Sequence, residues 1–210
     1  MTLVIGLTGG IACGKSNISS ALSALGAKVI DADRISRALT APGGRALPGI
    51  RETFGEAFFP GGVLDRKALG RLVFSDPEAL QHLNGLTHPL ILEEIREELT
   101  AAEAAGAPVC VLDAPLLFEA GLDSLCDTVW CVWLPKKLQL KRLMERDGLT
   151  RKEAEARIRS QMSPMEKKKR SDLVIDTRGT REESAALAEQ AYQKCLALSG
   201  KQKTSMEEHC

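Results

Sequence analysis

Short apolar runs with little polar alternation recur along the chain: Leu3-Val4-Ile5-Gly6-Leu7, Lys28-Val29-Ile30-Asp31, Pro108-Val109-Cys110-Val111-Leu112-Asp113, Thr128 to Leu134, and Leu173-Val174-Ile175-Asp176. Runs of that length and continuity predict strands buried on both faces, as in a parallel sheet. Helical patterns lie between or after them. Asn17 to Leu25 places Ile18, Ala21, Leu22 and Leu25 on one apolar face, and Leu138 to Arg146, Arg151 to Gln161 and Arg181 to Leu198 are further helices. This alternation predicts a doubly wound α/β core with five parallel strands and helices on both faces.

The alternation breaks between Asp33 and Gly106. Helical signals replace it at Arg34 to Leu39, Arg45 to Phe54, Arg66 to Phe74, Pro77 to Leu86 and Leu90 to Ala105, punctuated by loops at Pro42-Gly43-Gly44 and Pro60-Gly61-Gly62. Ser75-Asp76-Pro77-Glu78 has the residues of a helix start, with proline just inside the first turn. A helical insert between core strands, beside the strand ends where such sheets bind ligands, suits a second substrate. The expected organisation is core at 1–32, insert at 33–106, core at 107–139, lid at 140–166, core at 167–200 and a flexible polar tail at 201–210. The lid expectation rests on two charged helices joined by the short turn at Asp147-Gly148.

Between the first strand and first helix stands Gly9-Gly10-Ile11-Ala12-Cys13-Gly14-Lys15-Ser16, a glycine, four free positions, then Gly-Lys-Ser. Strand, glycine loop and helix form the context in which this motif wraps backbone N–H groups around phosphates, at the positive end of the helix. Lys15 would reach the outer phosphates, and the Ser16 hydroxyl would ligate Mg²⁺. A turn that merely joins strand to helix is the alternative, and the flanking pattern argues against it. The loop therefore indicates a bound nucleoside triphosphate.

Composition narrows the partners. The 210 residues, 44% hydrophobic, can bury one good core and an inserted subdomain. The 28 Lys and Arg residues balance 28 Asp and Glu, so no global field favours nucleic acid or an anionic membrane. With no run approaching the roughly 20 apolar residues of a membrane span and no secretory leader pattern, the expectation is a soluble cytoplasmic chain, a monomer or weak homo-oligomer. The cysteines Cys13, Cys110, Cys126, Cys131, Cys195 and Cys210 form no Cys-x-x-Cys pair and read as buried free thiols. Cys13 admits two readings: a reactive thiol activated by the helix N-terminus, or, preferred, a filler of a small slot.

Several side chains could carry chemistry. Asp31 and Asp33 flank Ala32 at a strand end, where one could take a proton from an attacking hydroxyl and the other order metal-bound water; an N-cap is the equal alternative. Asp113 ends a strand, which suits a carboxylate that holds Mg²⁺ through water, or a turn residue. Leu116, Leu117, Phe118 and Glu119 follow Pro115 in a loop-like apolar stretch that could line an organic-substrate pocket or join the core. Arg142 and Arg146, four apart on one helix, could clamp a transferring phosphate, whereas the wider basic run from Lys136 to Arg170 reads as a solvated surface. His88, before Pro89 at an expected helix start, could cap, pack or touch substrate; His82 reads as surface or packing, and His209 lies in the tail.

Taken together, Leu7-Thr8-Gly9-Gly10-Ile11 through Ser16, Val29-Ile30-Asp31-Ala32-Asp33, His88-Pro89, Pro115-Leu116-Leu117-Phe118-Glu119 and Arg146-Asp147-Gly148 resemble the dephospho-coenzyme A kinases, in the family's order and over nearly the whole chain. The phosphate loop is widely shared; the Asp-Ala-Asp and Pro-Leu-Leu-Phe-Glu pieces are far more specific. The resemblance implies a P-loop NTPase fold of three α/β/α layers with a helical coenzyme A domain and a lid. It implies transfer of the ATP γ-phosphate to the ribose 3′-hydroxyl of dephospho-coenzyme A, the last step of coenzyme A synthesis, with small-molecule partners only. By the same analogy Asp33 is the base supported by Asp31, and Lys15 and Arg142 are catalytic. Thr8, Gly10, Ile11, Ala12, Cys13, Gly14, Lys15, Ser16, Asn17 and Arg146 bind ATP, and Ser16 and Asp113 serve Mg²⁺. Asp31, His88, Leu116, Leu117, Phe118 and Glu119 face the acceptor. Ala12-Cys13 and Asn17 stand where the family usually carries Gly-Ser and Thr, and an alanine at position 12 argues against a strongly positive φ there.

Overall fold

The computed structural model describes the backbone of residues 2–207 and the side chains of residues 2–197. The strands are β1 (Leu3–Gly9), β2 (Lys28–Asp31), β3 (Val109–Asp113), β4 (Thr128–Trp133) and β5 (Leu173–Asp176). They form one all-parallel sheet in the order β2-β3-β1-β4-β5. Leu7 lies beside Asp113 on one neighbour and Trp130 on the other, which sets β1 at the centre. From β1 the chain goes to the edge strand β2, returns to β3 beside β1, and then crosses to β4 and β5 on the other side, so the switch of direction falls where the phosphate loop leaves β1. Every residue of β3 is buried, as a strand covered on both faces requires.

The helices are α1 (Lys15–Ala24), α2 (Ala32–Leu39), α3 (Leu47–Phe54), α4 (Arg66–Ser75), α5 (Pro77–Ala104), α6 (Lys136–Asp147), α7 (Arg151–Arg159), α8 (Pro164–Arg170) and α9 (Arg181–Glu207). Ile18 and Leu22 of α1 and Tyr192 of α9 pack with Ile5, Val111 and Trp130 in the core of the sheet. The chain divides into two compact units, one made of Met1–Ile30 with Ala101–Cys210 and the other of Asp31–Thr100. The second unit has its own buried residues, among them Ile35, Ile50, Phe59 and Ile95. Its surface carries ion pairs such as Arg45 with Glu93 at 2.5 Å and with Glu94 at 2.9 Å.

Three elements depart from the sequence expectation. The two helices expected around His88-Pro89 are one, α5, with Pro89 inside it. A proline removes one helical hydrogen bond, at about 3 kcal/mol; α5 nonetheless runs through it, with Thr87 before it and Ile95 after it buried. Helix α8 was not expected, although its start is marked in the sequence: Ser163 accepts from the Glu166 N–H and Pro164 occupies the first turn. Helix α9 continues to Glu207, through residues that read as a polar tail, and 208–210 lie outside the described residues.

Candidate functional site

The loop after β1 owes its path to close packing. A Cβ on Gly9 would come within 2.6 Å of the Val132 carbonyl oxygen on β4, so only glycine lets the loop leave the sheet here. The chain then turns, with the Cys13 N–H bonding the Gly10 carbonyl at 3.1 Å, and reaches α1 through Gly14, whose φ is 88°. Gly14 offers no side-chain cap and the first turn of α1 holds no acidic residue. The positive end of the helix is thus not offset by a capping or acidic side chain of its own. Lys15 pairs with Asp113, and the two side chains are only 18% and 8% exposed. Ser16 is exposed at the start of the helix.

Ala12 corrects an expectation. It adopts φ 60°, the one positive value at a non-glycine among the described residues. Left-handed backbone costs an L-residue about 1–2 kcal/mol. Packing offsets it: Ile11 and Ala12 lie against the apolar cluster of Leu143, Ala154 and Ile158 from α6 and α7. Ala12→Gly is expected to shift stability by less than about 1 kcal/mol, since relief of strain opposes the added freedom of the unfolded chain. A thermal melt displaced well beyond that would show that the strain is not local to residue 12.

Beneath the loop, Thr177 donates its hydroxyl to the Cys13 carbonyl at 2.7 Å, and Arg142 donates to the Thr177 carbonyl at 2.8 Å. Arg142 therefore braces the loop from below, while Arg146 is exposed and paired with Asp147 at 2.7 Å, an acceptor it shares with Arg157 at 2.9 Å. Asn17, read as a nucleotide contact, donates to the Arg181 carbonyl at 3.0 Å. The reactive reading of Cys13 fails: the side chain is 1% exposed, and burial, with a smaller push from Cys131, raises the thiol to about 12. Cys13, Cys110, Cys126 and Cys131 are in no disulfide, and Cys210 lies outside the described residues.

The Pro115–Glu119 loop divides in two. Leu117 and Phe118 are buried, Phe118 under the Arg170 guanidinium at 4.3 Å, so these two expected substrate contacts belong to the core. Leu116 is 45% exposed. Glu119 accepts from the Met162 N–H at 2.8 Å and pairs with the fully buried Lys167 at 2.9 Å, and Lys167 also donates to the Pro115 carbonyl. Thr8 donates to that same carbonyl at 3.2 Å. Thr177 and Lys167 were not singled out in the sequence. Lys167 was hidden in a basic run that reads as solvated surface, and Thr177 follows a strand end without any motif.

In the second unit, Asp31 is the N-cap of α2, its Oδ1 accepting from the Arg34 N–H at 3.0 Å, while Asp33 is exposed in the first turn. The capping role thus falls on Asp31 and leaves the Asp33 carboxylate to solvent. His88 sits half-buried in the middle of α5, not at a helix start, and His82 is exposed on the same helix; His209 lies outside the described residues. The unit also holds an open cavity of about 200 Å³ lined by Arg34, Leu39, Arg45, Glu94 and Glu98, among others.

Among the described residues no group of three or more His, Cys, Asp or Glu side chains could hold a metal alone. A Mg²⁺ that travels with a triphosphate needs no such cage, because one carboxylate or hydroxyl, water and phosphate oxygens complete its shell. Ser16 and Asp113 are hard oxygen donors that fit this. No described helix is long and apolar enough to cross a membrane.

An uncapped helix end, a lysine at its base and an arginine-braced loop thus stand together at the end of β1, and comparison with known proteins shows the family. Residues 3–183 match the family model described as dephospho-CoA kinase. The chain is 48% identical to the dephospho-CoA kinase of Anaeromyxobacter dehalogenans over 187 residues, 89% of each chain. It is 49% identical to that of Carboxydothermus hydrogenoformans over 178 residues, 84% of this chain and 86% of the other. The solved structure of the Campylobacter jejuni dephospho-CoA kinase superposes with a TM-score of 0.69 at 32% identity, covering 92% of this chain and 97% of that one. With the match running from β1 past β5 into α9, the chain belongs to the dephospho-CoA kinase family.

Proposed function

We propose that this chain transfers the γ-phosphate of ATP to the ribose 3′-hydroxyl of dephospho-coenzyme A, giving coenzyme A and ADP, with Lys15, Asp33 and Arg142 as its acting side chains. The observation that carries the reading is the Lys15–Asp113 pair at the foot of an uncapped α1, in a chain of this family. Phosphoryl transfer asks little covalent chemistry of the protein and much positioning and charge stabilisation. The loop N–H groups from Gly10 to Ser16 hold the triphosphate. Lys15 exchanges the Asp113 carboxylate for the outer phosphates; Asp113 and Ser16 would hold a Mg²⁺, which would offset charge on the phosphates. Asp33 takes the proton from the 3′-hydroxyl, and its exposure leaves it open to an acceptor. Arg142, held beneath the loop by the Thr177 carbonyl, leaves that acceptor to meet charge that develops on the transferring group.

The helical unit 33–106 is the acceptor unit and α6–α7 the lid, with Leu116, Glu119 and His88 facing coenzyme A and Arg146 released from Asp147 to reach phosphate. Small-molecule partners and a cytoplasmic site fit a balanced charge and the absence of a spanning helix among the described residues. The test is phosphotransfer from ATP with a panel of acceptors. Formation of coenzyme A and ADP with dephospho-coenzyme A supports the reading, and turnover only with a nucleoside monophosphate overturns it.

A further inference from the structure

Ile11 is gripped at both polar atoms of its backbone by side chains. Its N–H donates to Oε1 of Gln161 at 3.1 Å, and its carbonyl accepts from Nε2 of Gln139 at 2.8 Å. The two glutamines come from different places, Gln139 from α6 and Gln161 from the segment between α7 and α8. Gln161 is anchored through its neighbour, since the Met162 N–H is held by Glu119 at 2.8 Å and Glu119 by the buried Lys167.

Gln139 is 1% exposed, and its Oε1 is the one buried side-chain polar atom among the described residues without a hydrogen-bond partner. An unmet buried acceptor costs stability that a leucine of similar size would avoid. Flipping the amide would set its oxygen against the Ile11 carbonyl oxygen, so the observed orientation is the one that serves Ile11. The fit is tight: a Cβ on Gly10 would come to 2.5 Å from Nε2 of Gln139. The side chain thus gives up its own satisfaction to hold one peptide of the loop.

Both peptide planes that meet at Ile11 are fixed in this way, and the next residue, Ala12, takes the left-handed turn toward α1. We infer that Gln139 and Gln161 are positioning residues for the phosphoryl donor. They hold the Ile11 peptides so that the N–H groups that follow are aimed before the triphosphate arrives, and they tie that aim to α6 and to the α7–α8 segment. The inference deepens the proposed function and rests on the loop being the ATP site.

Gln161→Met and Gln139→Met keep side-chain length and remove the bond to Ile11. Titration calorimetry with a non-hydrolysable ATP analogue and Mg²⁺ should show Kd raised about tenfold in each, the equivalent of one lost hydrogen bond at about 1.4 kcal/mol. In steady-state kinetics the KM for ATP should rise in parallel, with the KM for dephospho-coenzyme A within about twofold of the parent. Gln161 is only half-buried, so Gln161→Met should keep the parent melting temperature and carries the test if Gln139→Met folds poorly. Unchanged nucleotide affinity in Gln161→Met overturns the inference, as does an equal rise in both KM values. A parent protein that binds the ATP analogue but never phosphorylates dephospho-coenzyme A overturns the acceptor assignment alone, and the calorimetric comparison still decides the role of the glutamines.

Discussion

Lys15→Ala is expected to lower turnover by on the order of 10²- to 10³-fold, the usual loss when one preset charge donor is removed from a transition state. The same substitution strands Asp113, a carboxylate only 8% exposed, and should destabilise the fold by about 1–3 kcal/mol. The two effects separate in the double variant Lys15→Ala, Asp113→Asn. Relief of the unpaired charge should recover the melting temperature without recovering turnover. Near-normal kcat in Lys15→Ala would remove the lysine from the transferring phosphates and leave it a structural partner of β3.

Asp33→Asn is expected to cut kcat by about 10²-fold or more, in line with the loss of a general base, while ATP affinity stays close to the parent value. Its neighbour provides the contrast. Asp31 caps α2 through Oδ1, and asparagine caps a helix as well as aspartate does, so Asp31→Asn should preserve the fold and most of the activity. If ATP binding collapses in Asp33→Asn, the carboxylate serves the metal or the fold and the base must be sought elsewhere. Calorimetry with the ATP analogue beside steady-state kinetics distinguishes these outcomes.

The contrast between these aspartates shows where sequence was informative. Buried parallel strands are continuous apolar runs, so β1 to β5 could be read directly, and the aspartates flanking Ala32 could be read either as a cap or as chemistry. The fold gives the cap to Asp31 and leaves Asp33 exposed in the first turn. Pro89 misled because a proline read in isolation ends a helix, whereas in α5 the turns on either side carry it. The phosphate loop was legible because its residues are contiguous. Its supports were not, because Gln139, Gln161 and Thr177 reach it from more than a hundred positions away and carry no local pattern, and Lys167, which holds the Pro115 carbonyl, carries none either. Lys167 is the clearest case, a lysine among lysines that packing takes fully out of solvent.

The left-handed alanine has a thermodynamic signature. A glycine at position 12 would leave the loop many shapes to lose when nucleotide enters, whereas Ala12 at φ 60°, seated against α6 and α7, has surrendered that freedom at folding. Nucleotide binding should therefore carry a smaller entropic penalty in this chain than in its Ala12→Gly variant, with heat capacity change little altered because the same apolar surface is buried. The freedom that a glycine at position 12 would keep until nucleotide arrives is given up here at folding, by one methyl group.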